Sequence, residues 1–298
     1  MIKYIFILLI FLNNVYASDI INITFLGTGT PRPDINKLGP SILLKYKKNE
    51  ILFDVGRGAT LRLGQLDNNY SNINDIFISH MHFDHIVGLA DFWLTSSLWQ
   101  KKTDTNIYGP KYIKNFCKQL KKMYKKDLEY RYKKGNYSKI NCLYHKVVSK
   151  DKNQLKITPF ENDHGHVDES YGFRIDFGSK KIVYSGDTTY SKDVISNSKN
   201  ADILIHEVIA ASKKIYNNNK KLRKVVSSHT DVNQLIEILK TCKPKLTILN
   251  HALLFGVSEN DVLSLIEREY KGKVIFAKDL MSIDLGEEIN IFNTGNYK

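Results

Sequence analysis

Residues 78–89 read ISHMHFDHIVGL, with His80, His82, Asp84 and His85 crowded into six positions between two apolar runs. Imidazole and carboxylate groups are seldom fully buried without partners, because losing water is costly unless a hydrogen bond or a cation replaces it. The segment therefore lies on the surface or holds metal. It follows the short apolar pattern Ile76-Phe77-Ile78, which reads as a buried strand. That places the four polar side chains on a strand-end loop and favours metal.

Further along the chain the same arrangement recurs. His164 lies in NDHGH (162–166), Asp187 closes YSGD (184–187), and His251 follows LTILN (246–250), each just beyond an apolar run. Loops at one rim of a sheet assembly would bring all of them together. A donor set of imidazoles and carboxylates without thiolate suits zinc, manganese or iron, zinc foremost. Seven ligands are too many for one tetrahedral ion and fit two. His206, after the apolar stretch 203–205, reads instead as a satisfied core histidine.

His-Met-His-Phe-Asp-His at 80–85 matches the signature H-x-H-x-D-H, and from about residue 23 to residue 285 the chain resembles the metallo-β-lactamase-fold hydrolases. The segments FLGTGTP (25–31), LFDVG (52–56), SGDT (185–188), HEV (206–208), His229-Thr230 and 245–251 are similar to the branch containing ribonuclease Z and the arylsulfatase and phosphodiesterase-like hydrolases. The resemblance implies an α/β fold, a four-layer αββα sandwich. It implies two Zn2+, with Mn2+ or Fe2+ as alternatives: His80, His82 and His164 around one, Asp84, His85 and His251 around the other, Asp187 bridging. It also implies a metal-bridging hydroxide, oriented by Asp84, that attacks phosphorus, sulfur or carbonyl carbon. His229, polarised by Glu207, would serve the leaving oxygen. His164 has the spacing of the arylsulfatase-like members and His166 that of ribonuclease Z; the former is preferred.

Residues 1–17, MIKYIFILLIFLNNVYA, carry Lys3 ahead of an apolar run too short to span a bilayer, and small residues before a cut after Ala17. The expectation is a secretory leader, then residues 18–298 as a single hydrolase domain in the periplasm or medium, with no stable membrane span after cleavage. Cys117, Cys142 and Cys242 are odd in number and far apart, neither a disulfide framework nor a metal set, and a Cys117–Cys142 bridge stays open.

The formal charge is +13, concentrated in residues 101–134, where twelve Lys/Arg face three acids. Within that stretch Ile113, Phe116, Cys117, Leu120, Tyr124 and Leu128 recur at helical spacing, which turns the lysines toward water. The expected function is an exported dinuclear-zinc hydrolase of phosphodiester or aryl sulfate esters, acting on a small anionic ester. The alternatives are a ribonuclease Z-like RNA 3′-processing nuclease using the basic segment, and a lactonase or metal-binding protein without turnover. Nucleic acid is thus the lesser partner expectation, and a homodimer is compatible with the resemblance.

Overall fold

The computed structural model describes residues 20–293 apart from 69, 100, 133–134, 146–149 and 153–154; the leader expected over 1–17 lies outside them. The first sheet comprises β1 (Ile21–Gly27), β2 (Ser41–Tyr46), β3 (Asn49–Phe53), β4 (Ile73–Phe77), β5 (Thr105–Gly109) and β6 (Ile140–Tyr144). The second comprises β7 (Lys150–Lys152), β8 (Leu155–Asn162), β9 (Ser170–Phe177), β10 (Lys180–Tyr184), β11 (Ile203–Ala211), β12 (Leu246–Phe255) and β13 (Lys273–Phe276). The chain then returns to the first sheet as β14 (Ser282–Leu285) and β15 (Ile289–Phe292), giving the spatial orders β15-β14-β1-β2-β3-β4-β5-β6 and β13-β12-β11-β10-β9-β8-β7.

Each sheet changes character partway across. β1, β2 and β3 pair antiparallel, β2 and β3 through a tight turn at Lys47-Lys48, whereas β3 through β6 run parallel. In the second sheet β7 through β10 are antiparallel and β10 through β13 parallel. Parallel neighbours need crossover connections, and helices supply them. Those over the first sheet are α1 (Ala59–Gln65), α2 (Phe83–Ile86), α3 (Leu89–Leu98), α4 (Ile113–Met123) and α5 (Lys125–Arg131). Those of the second half are α6 (Lys192–Ser198), α7 (Lys213–Asn218), α8 (Lys220–Val226), α9 (Val232–Cys242) and α10 (Glu259–Glu269).

Period-two alternation sorts the strand side chains between two cores. From β1 and β2, Ile23, Phe25, Ile42 and Leu44 enter the layer between the sheets with Phe173, Ile175 and Ile205 opposite. Their neighbours Leu26 and Leu43 face outward against Leu63, Trp93 and Ile113 of the helices. On the far side Val183, Leu204 and Leu249 meet Val194, Leu235, Leu239 and Ile266. The result is the four-layer αββα sandwich. Both faces of both sheets are covered, so the strands alternate only loosely between apolar and polar residues in the sequence.

Several local expectations change. The stretch after the histidine cluster, helical in periodicity over 86–99, forms two helices broken at Val87-Gly88, where the Gly88 N–H donates to the Val55 carbonyl at 2.9 Å and leaves the helical ladder. The basic helix breaks likewise at Tyr124 into α4 and α5. β11 and β12 run several residues beyond the apolar stretches at 203–205 and 246–249, which carries Glu207 and His251 within strands rather than loops. The open question about the cysteines is answered: Cys117 of α4 is bonded to Cys142 of β6 across a Cα–Cα distance of 6.4 Å, and Cys242 is free and buried.

Candidate metal centre

The strand ends meet at one rim. His80, His82, Asp84 and His85 follow β4, His164 follows β8, Asp187 follows β10, and His251 lies in β12. Backbone conformation aims them. Gly186 sits at φ 60°, and a Cβ there would come within 2.5 Å of the Tyr171 carbonyl oxygen, so only glycine lets the chain turn Asp187 inward. His251 adopts φ 51°, a left-handed conformation costing a non-glycine residue roughly 1 kcal/mol, held by the flanking ladder of β12.

Two triads converge, His80–His82–His164 and Asp84–His85–His251. In the first, His82 Nδ1 lies 2.8 Å from His80 Nε2 and 3.3 Å from His164 Nε2. In the second, Asp84 Oδ2 lies 3.7 Å from His85 Nε2 and 3.2 Å from His251 Nε2. Asp187 sits between them, its Oδ2 3.9 Å from His80 Nε2 and 3.4 Å from His85 Nε2, its Oδ1 3.4 Å from His251 Nδ1. Ligand atoms around a tetrahedral zinc with bonds of about 2.05 Å are separated by roughly 3.3 Å, so these spacings fit shared coordination. His164 rather than His166 lies in the cluster: His164 is buried there, while His166 is exposed.

Hydrogen bonding makes the same point. His85 Nε2, His251 Nδ1 and Asp187 Oδ1 are buried with no hydrogen-bond partner among the described residues. Each is a lone pair directed into the cluster, and a cation satisfies all three at once. The opposite ring nitrogens are tied down: His164 Nδ1–H donates to the Ser228 carbonyl at 2.6 Å and His85 Nδ1–H to Asp54 Oδ2 at 2.8 Å. These bonds select the tautomers that leave Nε2 free as a ligand.

Electrostatics follow from burial. Desolvation pushes His80 well below its ordinary value, His82 to about 4, and lowers His164, keeping their lone pairs available at neutral pH. Burial alone would raise Asp187, but His251 and His85 hold it well below the usual carboxylate range. Burial would likewise lower His85, yet Asp187 and Asp54 carry it well above 6.5. A rim that binds a proton this strongly at a histidine has the negative potential to bind a divalent ion there instead.

Beside the triads stands a second unit. Glu207 Oε1 accepts from His229 Nδ1 at 2.9 Å and from the backbone N–H groups of Thr188 and Thr230 at 3.1 and 3.2 Å. Burial would lower His229, but the Glu207 carboxylate, by charge and hydrogen bond, raises it to about 9. Among the described residues His206 joins no ligand group; it is buried, its Nδ1–H donates to the Glu207 carbonyl at 2.7 Å, and its Nε2 meets no partner there.

Asp54 is the residue the sequence reading left without a role. Wholly buried at φ 56°, it accepts from the Ser79 N–H at 2.7 Å, Ser79 Oγ at 2.9 Å, His85 Nδ1 at 2.8 Å and Tyr184 OH at 2.8 Å. Burial and the Asp54 charge raise Tyr184 well above 10, so its hydroxyl stays a donor. An aspartate closing an apolar strand, in the segment LFDVG already singled out, was the available signal.

Two back-to-back sheets with an imidazole- and carboxylate-lined rim make this chain a metal-binding hydrolase of the metallo-β-lactamase fold, in the ribonuclease Z-like branch. It belongs to the family described as Anti-Pycsar protein Apyc1, whose profile matches residues 21–250. The ribonuclease Z of Thermococcus onnurineus (strain NA1) is 30% identical over 271 residues, covering 78% of this chain and 84% of that protein. Among solved structures, the metallo-β-lactamase fold protein YhfI from Bacillus subtilis superimposes with a TM-score of 0.69 at 20% identity, over 90% of this chain and 100% of that one. Human tRNase Z, short form, gives 0.66 at 22% identity, over 88% and 98%.

Proposed function

We propose that the chain hydrolyses phosphodiester bonds at a two-metal centre, with zinc as the favoured ion and RNA ahead of small aryl esters as substrate. The observation that carries this reading is the pair of triads sharing Asp187, with the His229–Glu207 unit alongside. His80, His82 and His164 would hold one ion, Asp84, His85 and His251 the other, with Asp187 placed between the two triads. Divalent ions bound there supply Lewis-acid polarisation of the ester and acidify water. Asp84, buried at the rim, orients the attacking water. His229, kept protonated at neutral pH by Glu207, presents its Nε2 proton to the leaving oxygen. Relatives bearing the name ribonuclease Z support RNA over the aryl sulfate and lactone alternatives.

The test is a parallel assay of purified protein, supplied with zinc or manganese, on a single-stranded RNA, bis(4-nitrophenyl) phosphate, an aryl sulfate and a lactone. Both phosphodiesters should be cleaved, and a chelator should abolish the cleavage. Turnover confined to the sulfate or the lactone would overturn the proposal.

Export is a separate proposal, motivated by residues 1–17. The Cys117–Cys142 bridge supports it, because such bonds persist in oxidising compartments. Among the described residues no helix is long and apolar enough to cross a membrane. N-terminal sequencing of the exported protein should begin at Ser18, and recovery of intact Met1 in the cytosol would refute export.

A further inference from the structure

The Cys117–Cys142 bond lies at an edge of the first sheet, yet hydrogen bonds connect it to the metal centre. β6 ends the strand order of that sheet and pairs on one side only, with β5. Two positions beyond Cys142, the Tyr144 hydroxyl donates to Glu169 Oε1 at 2.8 Å. From the turn that opens α4, the Lys111 N–H donates to Glu169 Oε2 at 2.6 Å. One carboxylate therefore ties together the same two elements that the disulfide joins, and the whole closes into a ring.

Glu169 passes that restraint inward. It follows His164 by five positions, and its neighbour Ser170 donates Oγ–H to the Asp187 carbonyl at 2.9 Å. Next along, the Tyr171 N–H donates to the Ser79 carbonyl at 3.0 Å, and His145, adjacent to Tyr144, donates Nε2–H to the Ile78 carbonyl at 2.6 Å. Ile78 and Ser79 lead directly into His80. The second triad is held from elsewhere: Asp54, just after β3, accepts from His85 Nδ1, the Val55 N–H donates to the His85 carbonyl at 2.8 Å, and His251 lies within β12 beside β11.

We propose that the disulfide is a redox latch on the first metal triad: closed, it holds β6 and α4 so that Glu169 and His145 position the His80–His82–His164 site, and opened, it weakens that site alone. The proposal rests on the two-ion reading above. Glu169 and His145 are positioning residues, acting through the backbone of the ligand loops. The elements themselves survive opening, because Ile113 and Leu120 still anchor α4 in the core and β6 still pairs with β5 from Ile140 to Tyr144. Opening is thiol–disulfide exchange with a dithiol reductant. One of its thiolates attacks the sulfur of Cys142, which is half-buried on the edge strand; the S–S bond breaks, and Cys117 leaves as a thiolate and takes up a proton. The reductant's second thiol then displaces Cys142, so the reductant ends as a disulfide and the protein has gained two electrons and two protons. For an exported chain, such a latch withholds tight binding of the first ion until an oxidising compartment is reached.

The experiment titrates zinc into metal-free protein against a chromophoric chelator. It compares oxidised wild type, wild type reduced with a water-soluble phosphine and desalted under nitrogen, and Cys117→Ala/Cys142→Ala. A phosphine, oxidised to its oxide with oxygen from water, leaves no added thiol to compete for zinc. Reduction should weaken one of two bound ions about tenfold or more, the scale on which ligand-orienting groups act, and leave the other within about twofold. Reoxidation should restore the first ion, and the double alanine variant should match reduced protein and ignore the phosphine. Glu169→Gln, its disulfide intact, should weaken the same ion several-fold. In His82→Ala, which retains the second triad, the remaining ion should not respond to reduction. Equal affinities in the two redox states, or equal losses at both ions, would overturn the latch. So would loss of the thermal unfolding transition on reduction, because the bond would then staple the whole domain. If oxidised protein binds no ion, the two-ion reading fails with the latch; if it binds two that ignore redox state, the latch alone fails.

Discussion

Replacing Asp54 by asparagine tests whether the buried carboxylate under the metal centre sets its affinity. Its Oδ1 accepts from the Ser79 N–H, and its Oδ2 from Ser79 Oγ, His85 Nδ1 and Tyr184 OH. In the less costly orientation the amide NH2 takes the Oδ1 place and faces the Ser79 N–H, donor against donor. One orphaned backbone donor costs about 1–3 kcal/mol, and turning three charge-assisted bonds into neutral ones costs about 1 kcal/mol each. Folded stability should therefore drop by about 5 kcal/mol, or roughly 10 °C in Tm for a chain of this size. The effect on metal is separate: with its Nδ1–H partner weakened, His85 becomes a poorer and less well-oriented ligand, and affinity for the ion it shares with Asp84 and His251 should fall 10- to 100-fold. Competition against a chromophoric chelator measures this, with thermal unfolding as the companion readout. Wild-type metal affinity in a folded Asp54→Asn protein would refute the argument.

His82→Ala and Asp187→Ala should each lower the content of about two divalent ions and cut turnover by roughly two decades or more. Elemental analysis beside kinetics decides it, and full occupancy with normal activity would contradict the assignment. His229→Ala should keep both ions while reducing kcat by roughly two to four decades, most for alkoxide leaving groups and least for nitrophenolate, with Glu207→Gln a milder version. A loss of metal proportional to activity would show His229 to be a ligand instead. His145 donates Nε2–H to the Ile78 carbonyl at 2.6 Å, and burial lowers it to about 4. Because the unfolded chain takes up that proton first, the stability it contributes is complete above about pH 6.5. It falls by roughly 3 kcal/mol as the pH drops toward 4. Urea unfolding of metal-free protein at pH 7 and pH 4.5 should show a smaller pH dependence in His145→Gln, and an equally steep one would refute the assignment.

Much of this protein is legible in its sequence because strand-end ligands are punctuated by apolar runs. His80, His82, Asp84 and His85 mark a candidate metal loop by density alone, and the segments around Asp187 and His251 repeat the pattern. The resemblance those segments carry also anticipated the layer order, and with it Glu207 beside His229. Other features arise only when distant elements pack. Asp54 contacts Tyr184 across 130 positions, and Ser228 fixes the tautomer of His164 across 64, partnerships no local spacing encodes. The choice of His164 over His166 depends on burial, the Cys117–Cys142 bond on where α4 lies against β6, and the break at Gly88 on a carbonyl from residue 55. Sequence specifies which side chains can bind a cation or face a core, since that is intrinsic chemistry and periodicity. Which lone pairs meet, and which buried donors find an acceptor, is settled by the mutual placement of the two sheets.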